Sequence, residues 1–167
     1  LVALSLQPGL ALGESPFTLI GLHSDLAFNH AIERVTNLGA TCAIESQKQL
    51  ATDVTAHCDF PHCDGSEPAA CHAASAEIAG QPVTMIGFQA QDTEARISQL
   101  IISMAGGPEA IATYLENQFG KPYLDTGKDA STSWTRSRRV AWKSEHYHMR
   151  LRTHPLLITL AKDIDAD

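Results

Sequence analysis

Ser24-Asp25-Leu26-Ala27-Phe28-Asn29-His30-Ala31-Ile32-Glu33-Arg34-Val35-Thr36-Asn37-Leu38-Gly39 is the stretch from which the fold is read. Leu26, Phe28, Ala31, Ile32, Val35 and Leu38 recur at the spacing that gathers apolar side chains on one side of a helix. Ser24 stands where a side-chain oxygen can take a free amide of the first turn, and Gly39 supplies a C-terminal stop. The pattern predicts a helix over 25–38. A second helix is punctuated more clearly. Gly107-Pro108-Glu109 opens it, with Pro at the first helical position, where no amide hydrogen bond is lost. Ile111, Leu115, Gln118 and Phe119 continue it, and Gly120 with Pro122 closes it.

Strands are expected after each helix. In the first half they fall at 42–47, 50–58, 81–90 and 95–104, the last two joined by the polar Gln91-Asp92-Thr93-Glu94. Ile97, Leu100, Ile101 and Ile102 are apolar on both faces of their strand, which predicts a central strand covered by helix. In the second half they fall at 131–136, 138–144, 147–152 and 156–161, with a tight hairpin at Glu145-His146. Each half therefore reads as a helix followed by an antiparallel meander. The expected class is α+β: two helix-plus-antiparallel-meander units, 14–104 and 105–167, packed as one compact domain or tandem repeat.

Leu1-Val2-Ala3-Leu4-Ser5-Leu6 is apolar and uncharged, and Ala11 and Gly13 suit the small-residue positions of a signal-peptidase site. Residues 1–13 are read as a residual signal peptide, too short for the roughly 20 apolar residues that span a bilayer. No transmembrane segment is expected, and localisation is expected to be periplasmic or secreted. Asp and Glu outnumber Lys and Arg by 19 to 12, a net charge of −7, which argues against nucleic acid as a partner. The imbalance is uneven: residues 1–94 carry 11 acids against 2 bases, and residues 95–167 carry 8 against 10.

Three further features bear on kinship. Ile20-Gly21 leads into a helix; Leu38-Gly39-Ala40-Thr41-Cys42 and Thr55-Ala56-His57-Cys58 follow it; and Phe119-Gly120-Lys121-Pro122 precedes strands beginning at Trp134. In this organisation the chain resembles exported helix-plus-meander proteins, the SmpA/BamE-like envelope proteins and the tandem-repeat beta-lactamase inhibitory proteins. It departs from them in having no lipidated Cys and no Cys pair in its second half. In the inhibitor family a Cys just past the helix is bridged to a later strand, so the resemblance implies a bond between Cys42 and Cys58. Four Cys in an exported chain read as two disulfides with three connectivities open. The preferred set is Cys42–Cys58 with Cys63–Cys71.

His57, Cys58, His62, Cys63, Cys71 and His72 crowd a short segment, and Cys and neutral His are natural zinc ligands. Their spacing contains no CxxC pair, so metal binding at this cluster is the alternative to disulfides. His146, His148 and His154 form a second group; on a strand the first two share a face and could converge on one ion or proton-transfer site. No Gly-x-Ser-x-Gly elbow is present, and Gly106-Gly107 lacks the remaining glycines and the Lys of a phosphate loop. No cofactor and no enzymatic activity are expected.

The C-terminal strands interleave bases with aromatics. Arg136 with Arg138, and Arg150 with Arg152, keep the two-residue spacing that sends side chains to one face, and Trp134 joins them. Trp and Arg favour binding hot spots. The expected function is that of an exported, non-enzymatic accessory protein of the bacterial envelope. It would recognise a protein or an anionic envelope component through Trp134, Arg136, Arg138, Arg150 and Arg152.

Overall fold

The computed structural model describes residues 16–46, 53–61, 76–127 and 137–163. The elements run α1 (Phe28–Asn37), β1 (Thr41–Ser46), β2 (Val54–Asp59), β3 (Glu77–Ile78), β4 (Gln81–Ala90) and β5 (Ile97–Met104). After these come α2 (Pro108–Phe119), β6 (Leu124–Asp125), β7 (Arg139–Lys143), β8 (Tyr147–Thr153) and β9 (Leu156–Lys162). All pairings are antiparallel. The strands form a nine-stranded sheet in the order β1-β2-β4-β5-β9-β8-β7-β6, with β3 paired to β4.

This corrects the expected fold class. Among the described residues strand makes up 48% and helix 18%, which is a β-rich fold and not a pair of α+β helix-meander units. The physical reason lies where the two meanders meet. β5 ends the first and β9 ends the second, and they pair in register, Leu100↔Leu160 and Ile102↔Ile158 among others. Two strands that would each have been an edge satisfy one another's amides and carbonyls, and the sheet runs through without a seam. Ser131–Arg136 and residues 1–13 lie outside the described residues.

Alternation along the strands decides which side is buried. Ile86, Phe88, Leu100, Ile102, Ile158, Leu160, Met149 and Leu151 point to one face and form a single cluster with Phe28, Ala31 and Val35 of α1 and Ile111 and Leu115 of α2. Helices therefore cover one face of the sheet, as is common for antiparallel sheets. Ile101, between two core residues of the central β5, faces away and is only half-buried, so the double-sided apolar reading of that strand holds for one side.

Helix α1 begins three residues after the predicted start. Ala27 is its N-cap and offers no side-chain bond, while Ser24 is buried upstream. The Phe28 amide instead donates to the carbonyl of Ala95 (3.1 Å), and Ile97 donates back to Leu26 (2.9 Å), so the loop before β5 caps the helix. Helix α2 starts on Pro108 and stops at Gly120, whose φ of 81° suits glycine. The Gly120 carbonyl accepts from the indole of Trp142 (2.7 Å), which seats the end of α2 on β7.

A charged cluster fastens the β6–β7 side. The Arg138 guanidinium donates through Nε and Nη2 to the two carboxylate oxygens of Asp125 (3.0 and 2.8 Å), and through Nη1 to Glu109 in the first turn of α2 (2.7 Å). The hydrogen bonds to Asp125 raise the Arg138 pKa; burial opposes them and the hydrogen bond to Glu109 reinforces them. Gly127 lies against this side chain: a Cβ there would stand 2.2 Å from Arg138 Cγ. Arg138→Ala is expected to cost roughly 2–3 kcal/mol in chemical denaturation, the scale of lost charge-assisted bonds that leave a partly buried carboxylate behind. Arg139→Ala, one residue on and exposed, should change stability by no more than about 0.5 kcal/mol.

Candidate binding face

The sheet face opposite the helices carries no packed element among the described residues. Backbone register arranges its side chains in three rows, read across β1, β2, β4, β5, β9, β8 and β7. The first is Thr41, Asp59, Met85, Ser103, Leu157, Arg152, Arg139. The second is Ala43, His57, Gly87, Ile101, Thr159, Arg150, Ala141, and the third is Glu45, Thr55, Gln89, Gln99, Ala161, His148, Lys143. A bulge at Thr84, between the Val83↔Met104 and Met85↔Ser103 pairs, keeps Val83 in the core and Met85 on the open side.

Charge is sorted along these rows. Glu45 and Asp59 sit at the β1–β2 end, with Asp53 just ahead of β2 accepting from Gln89 Nε2 (2.9 Å). Arg139, Arg150, Arg152 and Lys143 sit at the β7–β8 end. Between them lie the uncharged Met85, Gly87, Ile101, Ser103, Leu157 and Thr159, all half-buried. At a strand spacing of roughly 4.8 Å, β2 and β8 are about 19 Å apart. That separation exceeds the Debye length of about 8 Å at physiological salt, so the two ends do not neutralise each other. Among the described residues, Arg139, Arg150 and Arg152 have no carboxylate within ion-pair distance.

The residues singled out from the sequence divide as follows. Arg150 and Arg152 are exposed on the open face. Arg138 is not: β7 begins at Arg139, so Arg138 falls on the helix side and is held by Asp125 and Glu109. Arg139 takes its place, directly across from Arg152. The signal that would have found it is the phase of β7, one residue away from the Arg136/Arg138 spacing. Trp134 and Arg136 lie outside the described residues, and Trp142 belongs to the core.

Cys42 and Cys58 face each other on β1 and β2 and form a disulfide with a Cα–Cα distance of 3.9 Å. Cys58 is fully buried and offers no thiolate to a metal. His57 projects to the opposite, open side, 3.6 Å from Asp59. The rest of the proposed metal set, His62, Cys63, Cys71 and His72, lies outside the described residues, as does the Cys63–Cys71 pairing. Among the described residues no group of three His, Cys, Asp or Glu is placed to hold a metal ion.

The histidine trio does not converge. His146 sits in the β7–β8 turn, where its carbonyl accepts from the Asp163 amide (2.9 Å), and His154 is at the far end of β8 beside Thr153 Oγ1 (3.2 Å). His148 pairs through Nε2 with Asp163, whose other oxygen lies 3.9 Å from Lys143 Nζ. Among the described residues His148 Nδ1 is buried without a partner, and no hydroxyl or thiol bonds the ring. A shallow groove beside it is lined by Gln99, Arg150, Thr159 and Lys162, open to solvent. No helix among the described residues is long and apolar enough to cross a membrane.

His23 lies outside the rows, before α1. Its Nδ1 accepts from the Asp25 amide (3.3 Å), which requires a neutral ring. Burial lowers its pKa most; Asp25 works against this, and the nearby Arg34 and Arg96 add to the lowering. A histidine held neutral in the fold stabilises above its ordinary value of 6.5 and loses that contribution as pH falls through the lower folded value. His23→Gln should therefore flatten the fall in Tm between about pH 7 and pH 5. Replacing Cys42 and Cys58 together by Ala should cost about 3 kcal/mol by denaturant titration, since the closed loop spans 16 residues. Compared with protein-family models, with curated proteins and with solved structures, the chain matches none.

Proposed function

We propose that this chain is an exported, non-enzymatic binding protein that docks a partner protein on its open sheet face. The observation that carries the reading is the set of exposed guanidinium groups, Arg139, Arg150 and Arg152, grouped on one side of the sheet without carboxylate partners among the described residues. Such groups steer and orient a partner bearing acids, and they discriminate against wrong ones. An extended anionic surface is a poorer occupant than a protein. Glu45 and Asp59 share the face and would be pressed against like charge, whereas a folded partner can present both signs in matching places. The half-buried Met85, Ile101 and Leu157 add an apolar middle of the kind found at the centre of protein interfaces. The Cys42–Cys58 disulfide supports an oxidising compartment.

The test is capture of exported proteins from the source cell by the immobilised chain, at low and high salt. Arg150→Glu/Arg152→Glu should weaken salt-sensitive capture by about tenfold or more, a change of at least ~1.4 kcal/mol. Lys121→Glu, an exposed change between α2 and β6, should leave capture as it was. Equal capture by the Arg double variant and the unaltered chain would overturn the proposal.

A further inference from the structure

We infer that the occupant of the open face is a second copy of this chain, bound face to face about a two-fold axis that runs parallel to the strands and passes over β5. The inference rests on the reading of this face as a docking surface and names what docks there.

The register of the sheet decides which residues would face one another. β5 is the fourth of seven strands counted from β1 to β7. Rotation by half a turn about an axis along β5, lying between two apposed sheets, returns each row onto the same row and reverses the order of strands. β1 then faces the second copy's β7, β2 faces its β8, β4 faces its β9, and β5 faces itself. In the first row this sets Asp59 against the second copy's Arg152 and Met85 against its Leu157. In the second row Ile101 meets its own equivalent on the axis, with Gly87 opposite Thr159. In the third row Glu45 meets Lys143. Acid meets base in the first and third rows, apolar meets apolar in the middle, and a small residue faces a larger one beside the axis; Arg150 meets His57 and Arg139 meets Thr41. The two-fold makes every pair off the axis occur twice, as an isologous interface requires.

The other face-to-face two-fold, with its axis across the strands, sets each end against itself. With that axis over the middle row, Arg150 would oppose its own copy and Arg139 would face Lys143, a costly juxtaposition of like charge, while Glu45 and Asp59 would face only Thr41 and Thr55. Size also fits. Seven strands about 4.8 Å apart and three rows about 7 Å apart cover roughly 700 Å² per copy, close to the ~800 Å² per partner of a standard stable interface. Aligned sheets pack about 30° apart. At the distance of β2 and β8 from the axis this offset slides facing residues by about 5 Å, within the reach of an Arg side chain. Lys143 shares Asp163 within its own chain, so the Asp59–Arg152 pair is the cleaner probe.

Sedimentation equilibrium on the full, oxidised chain, over about 1–100 μM and at low and high salt, provides the test. The chain is expected to form dimers that salt weakens. Asp59→Arg alone sets base against base, and Arg152→Glu alone sets acid against acid. Each is expected to raise the dimer dissociation constant at least tenfold. Mixing the two single variants should restore association, as a heterodimer, to within about threefold of the unaltered chain, because both facing pairs are then of opposite sign. Asp59 is 68% exposed and Arg152 is exposed, so neither change threatens folding, which circular dichroism confirms in each sample. Dimers insensitive to both changes, or single variants that weaken but do not recover on mixing, would overturn the inference. So would a monomer at every concentration. A monomer whose capture of an exported protein still depends on Arg150 and Arg152 would refute self-pairing and keep the docking reading; loss of that dependence too would sink both.

Discussion

Five register pairs between β5 and β9, from Gln99↔Ala161 to Ser103↔Leu157, hold the molecule together as one sheet. They also decide what each side of that sheet is for. With Leu100 opposite Leu160 and Ile102 opposite Ile158, the core side is set in the middle of the molecule, and alternation carries the assignment outward to both edges. Gln99, Ile101, Thr159 and Leu157 are thereby committed to the open side. A slip of one residue at this junction would turn β9 over relative to β5, burying Thr159 under the helices and exposing Leu160. The open face is thus a by-product of the core: its order of charges is legible only because the core permits one register.

The two outer ends are fastened by different chemistry. At β1–β2 the Cys42–Cys58 bridge ties the edge strand to its neighbour on the helix side. At β6–β7 the Arg138, Asp125 and Glu109 cluster joins strand to strand and both to the start of α2. Both fastenings sit on the helix side, and both leave the opposite surface free of structural duty. Arg139 and Arg138 show the division most plainly. They are adjacent in sequence, yet one is bound into the scaffold and the other is offered outward.

What could be read from the sequence was local. Gly107-Pro108 and Gly120 bracket α2 because proline and glycine act through their own backbone, and strands β4, β8 and β9 follow from alternation over a few residues. The fold class does not follow from local pattern because the β5–β9 pairing joins segments some sixty residues apart, and nothing in either segment names its partner. Ser24 was a sound capping residue with no cap to make, since the Ala95 carbonyl, far along the chain, already serves the first turn of α1. The two-residue spacing puts Arg138 on the binding face only if the strand's first residue is known, and a shift of one position reverses every assignment. Arg150 and Arg152, inside a longer and better-phased strand, were placed as the structure has them.

The separation of charge along the rows has a kinetic consequence. Acids at one end and bases at the other give the sheet an electric dipole lying in its plane and across its strands. In the field of another charged body such a molecule turns before it touches, and the turn brings its basic end toward negative potential. Orientation, ordinarily the slow part of protein encounter, is then partly completed at a distance of about a Debye length. For this chain, salt should act on how fast partners meet more than on how long they stay, because the uncharged centre of the face, around Ile101 and Met85, feels no screening once water has left it.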